Sequence, residues 1–232
     1  WLGGIGIIVT SVAIMPMLRI GGMQLFRTES SDNSEKIVPR AAQLAAAFGR
    51  VYVVMTLACM ALLWAAGMTG FEALVHAMAT VSTGGFSTSD ASIGHFDSPL
   101  IEMIIVVFMI GGALPFVLYI RVLGQDRDAL WRDTQVRAFF LAILVWTVTL
   151  SLWLVLHEHV APLQALRVSL FNVVSVITTT GFATADYNLW GTFPFAVFLW
   201  LILVGGCTGS TSGGIKVFRF VTADSIEEKV VE

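Results

Sequence analysis

The sequence is poor in charge. Only 12% of its 232 residues are Asp, Glu, Lys or Arg, against roughly 25% in an average soluble domain. Apolar residues make up 56%, and the mean hydropathy is +0.83. So few polar groups cannot wet a globule of this size, which excludes an ordinary soluble domain. The net charge is a modest −3, with a pI near 5.8, and gives no sign of a nucleic-acid partner. Cysteine is nearly absent. Cys59 and Cys207 each sit inside an apolar run, which excludes a disulfide framework and leaves the redox compartment unreadable. The chain opens at Trp1 with neither Met nor a basic n-region, so no signal peptide is legible and a segment of something longer is expected.

What the sequence does have is apolar length. A membrane-spanning helix needs about 20 mostly apolar residues. Candidate spans are 1–18, 51–66, 100–123, 139–156 and 193–204, the last running on into 205–220. Two further stretches, 71–81 and 163–177, are shorter and less pure. At 1.5 Å per residue they fall short of the roughly 30 Å hydrocarbon core, which reads as re-entrant half-helices, with interfacial or loop helices as the alternative.

Charge placement sets the orientation. Basic residues cluster at Arg19, Arg27, Lys36, Arg40 and Arg50, at Arg121, Arg127, Arg132 and Arg137, and at Lys216, Arg219 and Lys229. The intervening loops 67–70, 89–98, 158–162 and 185–192 hold no Lys or Arg. The basic segments are therefore expected on the cytoplasmic side. That alternation works only if 71–88 and 163–184 dip in and return. Arg167, inside a half-helix, is the one exception.

The chain also repeats itself. Val81-Ser82-Thr83-Gly84-Gly85-Phe86-Ser87-Thr88-Ser89-Asp90 aligns without a gap on Ile177-Thr178-Thr179-Thr180-Gly181-Phe182-Ala183-Thr184-Ala185-Asp186. Each segment follows a short helix and precedes a span, and each such span carries a glycine pair, Gly111-Gly112 or Gly205-Gly206. Gly3-Gly4, followed by Pro16, looks like the end of an earlier unit. Small residues also serve helix packing, the preferred reading for Gly3-Gly4 and Gly111-Gly112.

The two aligned segments make poor helix interiors, being β-branched and glycine-rich. Irregular backbone at membrane depth survives only when buried in protein or lining a water-filled path. Carbonyls turned inward to replace a cation's hydration shell meet that condition. Gly85 and Gly181 would supply the permissive φ, and the half-helix C-termini would favour positive charge. Asp90 and Asp186 would stand at the outer mouth.

With these residues in view, the chain resembles the TrkH/KtrB/HKT superfamily of potassium transporters, and within it the bacterial TrkH branch. The matching stretches are Trp1–Val9, Ala79–Thr88, Ile177–Asp186 and Gly205–Val217. The resemblance implies an all-α integral membrane protein of span–pore-helix–span units with re-entrant filter loops, similar to a K+ channel folded into one chain. This chain would hold 1–20 as the last span of repeat 1, 21–50 as a cytoplasmic linker, 51–123 as repeat 2, 124–137 as a second linker and 138–220 as most of repeat 3. The polar tail 221–232 is assigned nothing.

Carried over, the filter carbonyls belong to Thr83, Gly84, Gly85, Thr179, Thr180 and Gly181, with Ser82, Phe86, Thr178 and Phe182 as support. The stretch 205–214 matches an intramembrane gating loop, made here by Gly205, Gly206, Thr208, Gly209, Ser210, Thr211, Ser212, Gly213 and Gly214. The same stretch is too rich in glycine and hydroxyls for a good helix; a plain cytoplasmic turn is the alternative. The resemblance further implies K+ as transported ion, no cofactor in this chain, a homodimer, and a TrkA-like nucleotide-binding regulatory subunit at the bacterial inner membrane.

Other chemistries fit less well. A P-loop needs Gly-Lys-Ser/Thr, but Ile215 separates Gly214 from Lys216. A nucleophile elbow needs serine where Thr211 stands. His157-Glu158-His159 lacks a third zinc ligand nearby, and Glu72 and His76 read as a local pair one turn apart without function. A membrane enzyme is disfavoured because no span holds convergent Asp, His and Glu; Glu102 is the lone acid near one. An H+- or Na+-driven carrier with re-entrant hairpins is the alternative function, set back by the like orientation of the two units.

Overall fold

The structure, a computed structural model, describes residues 1–6, 37–124, 126 and 128–217. The expected linker as far as 36, most of the opening span and the tail 221–232 lie outside the described residues. Helix α1 (Ile37–Ala65) and the short α2 (Gly70–Val81) open the first unit. The second chain segment of that unit, α3 (Pro99–Ala113) and α4 (Phe116–Leu123), completes it. After a single turn, α5 (Ala129–Arg132), the second unit follows as α6 (Thr134–His157), α7 (Pro162–Ile177) and α8 (Thr192–Leu203). Among the described residues there is no strand, only an isolated parallel bridge between Val204 and Ile215.

The 23 residues Gln43–Ala65 and the 24 of α6 are long and apolar enough to cross a bilayer. At 12 and 16 residues, α2 and α7 reach only about 18 and 24 Å. Their starts are fixed locally. Thr69 caps α2 in a capping box with Glu72, satisfying amides that the first turn leaves free, and Thr69's hydroxyl and amide hold the Glu72 carboxyl below its usual range. Pro162 occupies the first turn of α7, where its missing N–H costs nothing.

Two expected boundaries shift. The helix that carries the first span starts at Ile37 and its membrane-crossing stretch at Gln43, rather than at 51, because the alanine-rich stretch 41–47 continues the helix beyond the apolar run. The span 100–123 is not one helix but two, bent by 94°. The cause is Pro115, which disfavours a helical residue before it: Leu114 is extended at φ −84°, ψ 155°.

The outward faces are apolar. Val54, Leu57 and Trp64 on α1, Leu144 and Leu152 on α6, and Leu199 and Leu203 on α8 are exposed, the pattern of helices that face lipid. Inside, α7 packs on α6, α3 and α8, while α2 packs on α1 and α3. Helix α3 thus lies between the two short helices. One ion pair crosses there: Arg167 Nε of α7 lies 3.3 Å from Glu102 Oε2 of α3, whose side chain is 4% exposed. The isolated cation of one half-helix and the lone acid near a span are partners.

Candidate functional site

The two short helices end alike. In α2 the amide of Thr83 donates to Thr80 O (3.0 Å) and that of Gly84 to Ala79 O (2.7 Å); in α7 Thr179 donates to Val176 O (2.9 Å) and Thr180 to Ser175 O (2.9 Å). These are the paired bonds of a Schellman motif, which puts the residue after the cap in the left-handed region. Glycine is usual there, but here the residue is threonine, with φ +50° at Thr83 and +57° at Thr179. A left-handed β-branched residue costs about 1–3 kcal/mol and persists only where its surroundings hold it.

Two residues later Gly85 and Gly181 are again left-handed, at φ +69° and +88°, whereas Gly84 and Thr180 between them are not. Alternating backbone sign turns successive peptide planes the same way, so consecutive carbonyls share one side. Among the described residues, none of the carbonyls of Thr83, Gly84, Gly85, Thr179, Thr180 and Gly181 accepts a hydrogen bond. The segments are neighbours: a Cβ on Gly85 would collide with Thr180 O and stand 3.3 Å from the Gly181 carbonyl carbon. At Gly181 a Cβ would meet nothing, so only its φ demands glycine. Each helix also directs its negative dipole end, about half a charge, toward these carbonyls. The group is a row of unpaired oxygens without a titratable side chain, a donor set suited to a desolvated cation.

The stretch 205–214 is a loop cinched at its neck. Gly205 N donates to Ile215 O (2.8 Å) and Ile215 N to Leu203 O (2.9 Å). Any side chain on Gly205 would collide with Gly213 O. The loop takes up carbonyls that the break in α3 leaves free: Cys207 N bonds Ala113 O (3.0 Å) and Thr211 N bonds Gly112 O (3.1 Å). Phe116 N in turn donates to Gly209 O (3.0 Å), and Thr208 N donates to Gln135 Oε1 (3.2 Å). Ser210 Oγ bonds Cys207 O (2.6 Å) and meets Ser212 Oγ at 2.7 Å.

The loop touches both Thr-Gly-Phe segments. Thr211 Oγ1 lies 2.9 Å from Gly112 O, 3.1 Å from Val81 O and 3.4 Å from Thr83 Oγ1, while Gly213 N donates to Thr179 Oγ1 (2.7 Å). The threonine hydroxyls thus meet the loop that the sequence reading treats separately. Gly214, at φ +72°, closes the loop against Gly205.

The remaining expected residues divide. Thr178 Oγ1 and Thr180 Oγ1 are 2.8 Å apart, and Ser82 Oγ donates to Ala79 O (3.3 Å), so both cap residues bond locally behind the segments. Phe182 is 1% exposed, but Phe86 is 78% exposed and packs on little among the described residues. Ser175 Oγ draws back the Phe182 carbonyl with a 2.6 Å bond. Asp186 caps the turn Tyr187–Trp190 by accepting from Asn188 N (3.0 Å), and Asp90 is exposed. Gly112 packs against Val81 O, and Gly4 against Tyr52 and Ser82, but Gly3 meets nothing.

Two buried residues lie outside the expected site: His76, expected only as a local partner of Glu72, and Asn172, not expected in any role. His76 does not pair with the Glu72 carboxylate; its ring faces the Glu72 carbonyl and Ser87. The signal was available, since both stand five residues before the last residue of their helix in the aligned repeats.

These features define a helical membrane protein of repeated units with re-entrant hairpins, whose irregular backbone meets at a common centre. The family model for TrkH, described as a cation transport protein, matches residues 1–228. The chain belongs to the TrkH family. It is 48% identical over 224 residues to the Trk system potassium uptake protein TrkI of Halomonas elongata, covering 96% of this chain and 45% of that protein. It is 42% identical over 227 residues to TrkH of Escherichia coli K12, covering 95% and 47%. The crystal structure of the potassium transporter TrkH from Vibrio parahaemolyticus superposes with a TM-score of 0.84 at 37% identity, covering 99% of this chain and 48% of that one. The chain thus spans about half the length of the curated relatives it matches.

Proposed function

We propose that this chain supplies two of the repeats around a K+ uptake path in a bacterial inner membrane, as a transporter component and not an enzyme. The carbonyls of Thr83, Gly84, Gly85, Thr179, Thr180 and Gly181 take the place of the ion's water, and the loop 205–214 gates the path beneath them. The observation that carries this reading is the side-by-side approach of the two segments with their carbonyls unpaired. The absence of any titratable side chain within 82–86 and 178–182 favours carbonyl coordination over a proton-carrying site. The names of the relatives belong to a Trk system, in keeping with a regulatory partner; a TrkA-like nucleotide-binding subunit and a homodimer complete the proposed assembly.

The test is K+ uptake in a K+-uptake-deficient host carrying the complete protein with Gly85→Ser or Gly181→Ser. Reduced K+ over Na+ discrimination supports the reading, and unchanged discrimination with normal expression removes the filter.

A further inference from the structure

His76 and Asn172 occupy the same place in the two repeats. Each is fully buried, and each bonds the carbonyl four residues earlier in its own helix: His76 Nδ1 lies 2.8 Å from Glu72 O, and Asn172 Nδ2 lies 2.8 Å from Val168 O. Each also reaches a hydroxyl on the irregular segment that leaves its filter stretch. His76 Nε2 is 3.0 Å from Ser87 Oγ, and Asn172 Nδ2 is 3.1 Å from Thr184 Oγ1. Since a carbonyl only accepts, His76 Nδ1 carries the proton and Nε2 accepts from the Ser87 hydroxyl.

An unlike pair of side chains thus ties each short helix to the segment that follows it, His76 through both ring nitrogens and Asn172 through Nδ2 alone. A packing role alone asks for neither polar group, and burying them costs free energy that these bonds offset, although Asn172 Oδ1 has no partner among the described residues. The His76 ring also spans the repeats: it meets Phe96 edge-on at 5.3 Å, and Phe182 of the next filter segment at 6.0 Å. Nearby, Ser92 Oγ accepts from Ala183 N (3.2 Å) and Gly94 N donates to Ala183 O (3.2 Å), so the first unit's outer loop holds the chain leaving the second unit's segment.

Carbonyls gathered around one axis repel one another and splay unless something holds them from behind. Resting on the K+ reading above, we infer that His76 and Asn172 are equivalent struts that set the width of the filter and thereby its discrimination between K+ and Na+. They are positioning residues, acting through Ser87 and Thr184 and not on the ion.

The repeat supplies its own control. Thr88 aligns with Thr184, so an asparagine at 76 is expected to turn from Ser87 to the Thr88 hydroxyl, as Asn172 turns to that of Thr184. In the complete protein, His76→Leu and Asn172→Leu each lower the K+/Na+ uptake ratio about tenfold, the weight of one lost hydrogen bond. His76→Asn keeps the ratio within about twofold of wild type, and Thr88→Ala alone leaves it unchanged. His76→Asn with Thr88→Ala falls to the His76→Leu level. Should the leucine variants fail to reach the membrane, the His76→Asn and His76→Asn/Thr88→Ala pair decides alone, and equal ratios in those two overturn the inference. So does a wild-type ratio in His76→Leu. A wild-type protein without discrimination instead removes the K+ reading, and the struts with it.

Discussion

The amide of Gly213 donates to the hydroxyl of Thr179 over 2.7 Å. One partner belongs to the loop, the other begins the second of the two aligned Thr-Gly-Phe segments, and Thr179 holds a left-handed backbone that brings its hydroxyl there. Thr83 also turns its hydroxyl toward the loop, 3.4 Å from Thr211 Oγ1, but its shorter bond is to Ser82 O (2.8 Å). Threonine rather than glycine at these two cap positions is explained by the hydroxyl each one presents to the loop.

Valine keeps the shape and branching of threonine and removes only the hydroxyl. Thr179→Val leaves Gly213 N without its acceptor, loosening the loop by about 1 kcal/mol. K+ influx in the complete protein should rise about fivefold while the K+/Na+ ratio holds. Unchanged or lower influx at normal expression would count against a latch between loop and filter.

Glycines in the loop should differ sharply in tolerance. At Gly205 an added methyl runs into Gly213 O, so the neck must open; at Gly209 it meets nothing and pays only for φ +76°. Gly209→Ala should cost about 1 kcal/mol, and Gly205→Ala clearly more. Thermal unfolding in detergent measures the order, and equal midpoints would contradict the cinched neck.

The Arg167–Glu102 pair joins the repeats at a buried contact. Breaking such a pair from one side leaves an uncompensated charge, at about 3–5 kcal/mol, whereas removing both charges costs far less. Glu102→Gln should lower the unfolding midpoint strongly, and Glu102→Gln with Arg167→Gln should recover most of it. Equal losses in single and double variants would mean that the pair contributes nothing.

Much of this was legible in the residues. The lengths of 71–81 and 163–177 gave the re-entrant helices within a residue of their ends, because a helix that follows its apolar run has little freedom at the bilayer. The repeat marked the two Thr-Gly-Phe segments that the structure brings side by side. What escaped depends on contacts between distant residues. The bend at Leu114–Pro115 was readable from proline, but its carbonyls are relieved by Cys207 and Thr211, far along the chain. The left-handed threonines were missed because propensity assigns that region to glycine. His76 stands one turn from Glu72 but meets only that residue's carbonyl, and its other partners are Ser87, Phe96 and Phe182.

Anomalous diffraction from crystals of the complete protein grown in Tl+ or Rb+ reads the ion's position without relying on any variant. The account predicts a peak flanked by the carbonyls of Thr83–Gly85 and Thr179–Gly181 that persists when Na+ is added in excess and fades when K+ is. A peak lodged among carboxylates elsewhere, with these segments ordered and bare, would contradict it.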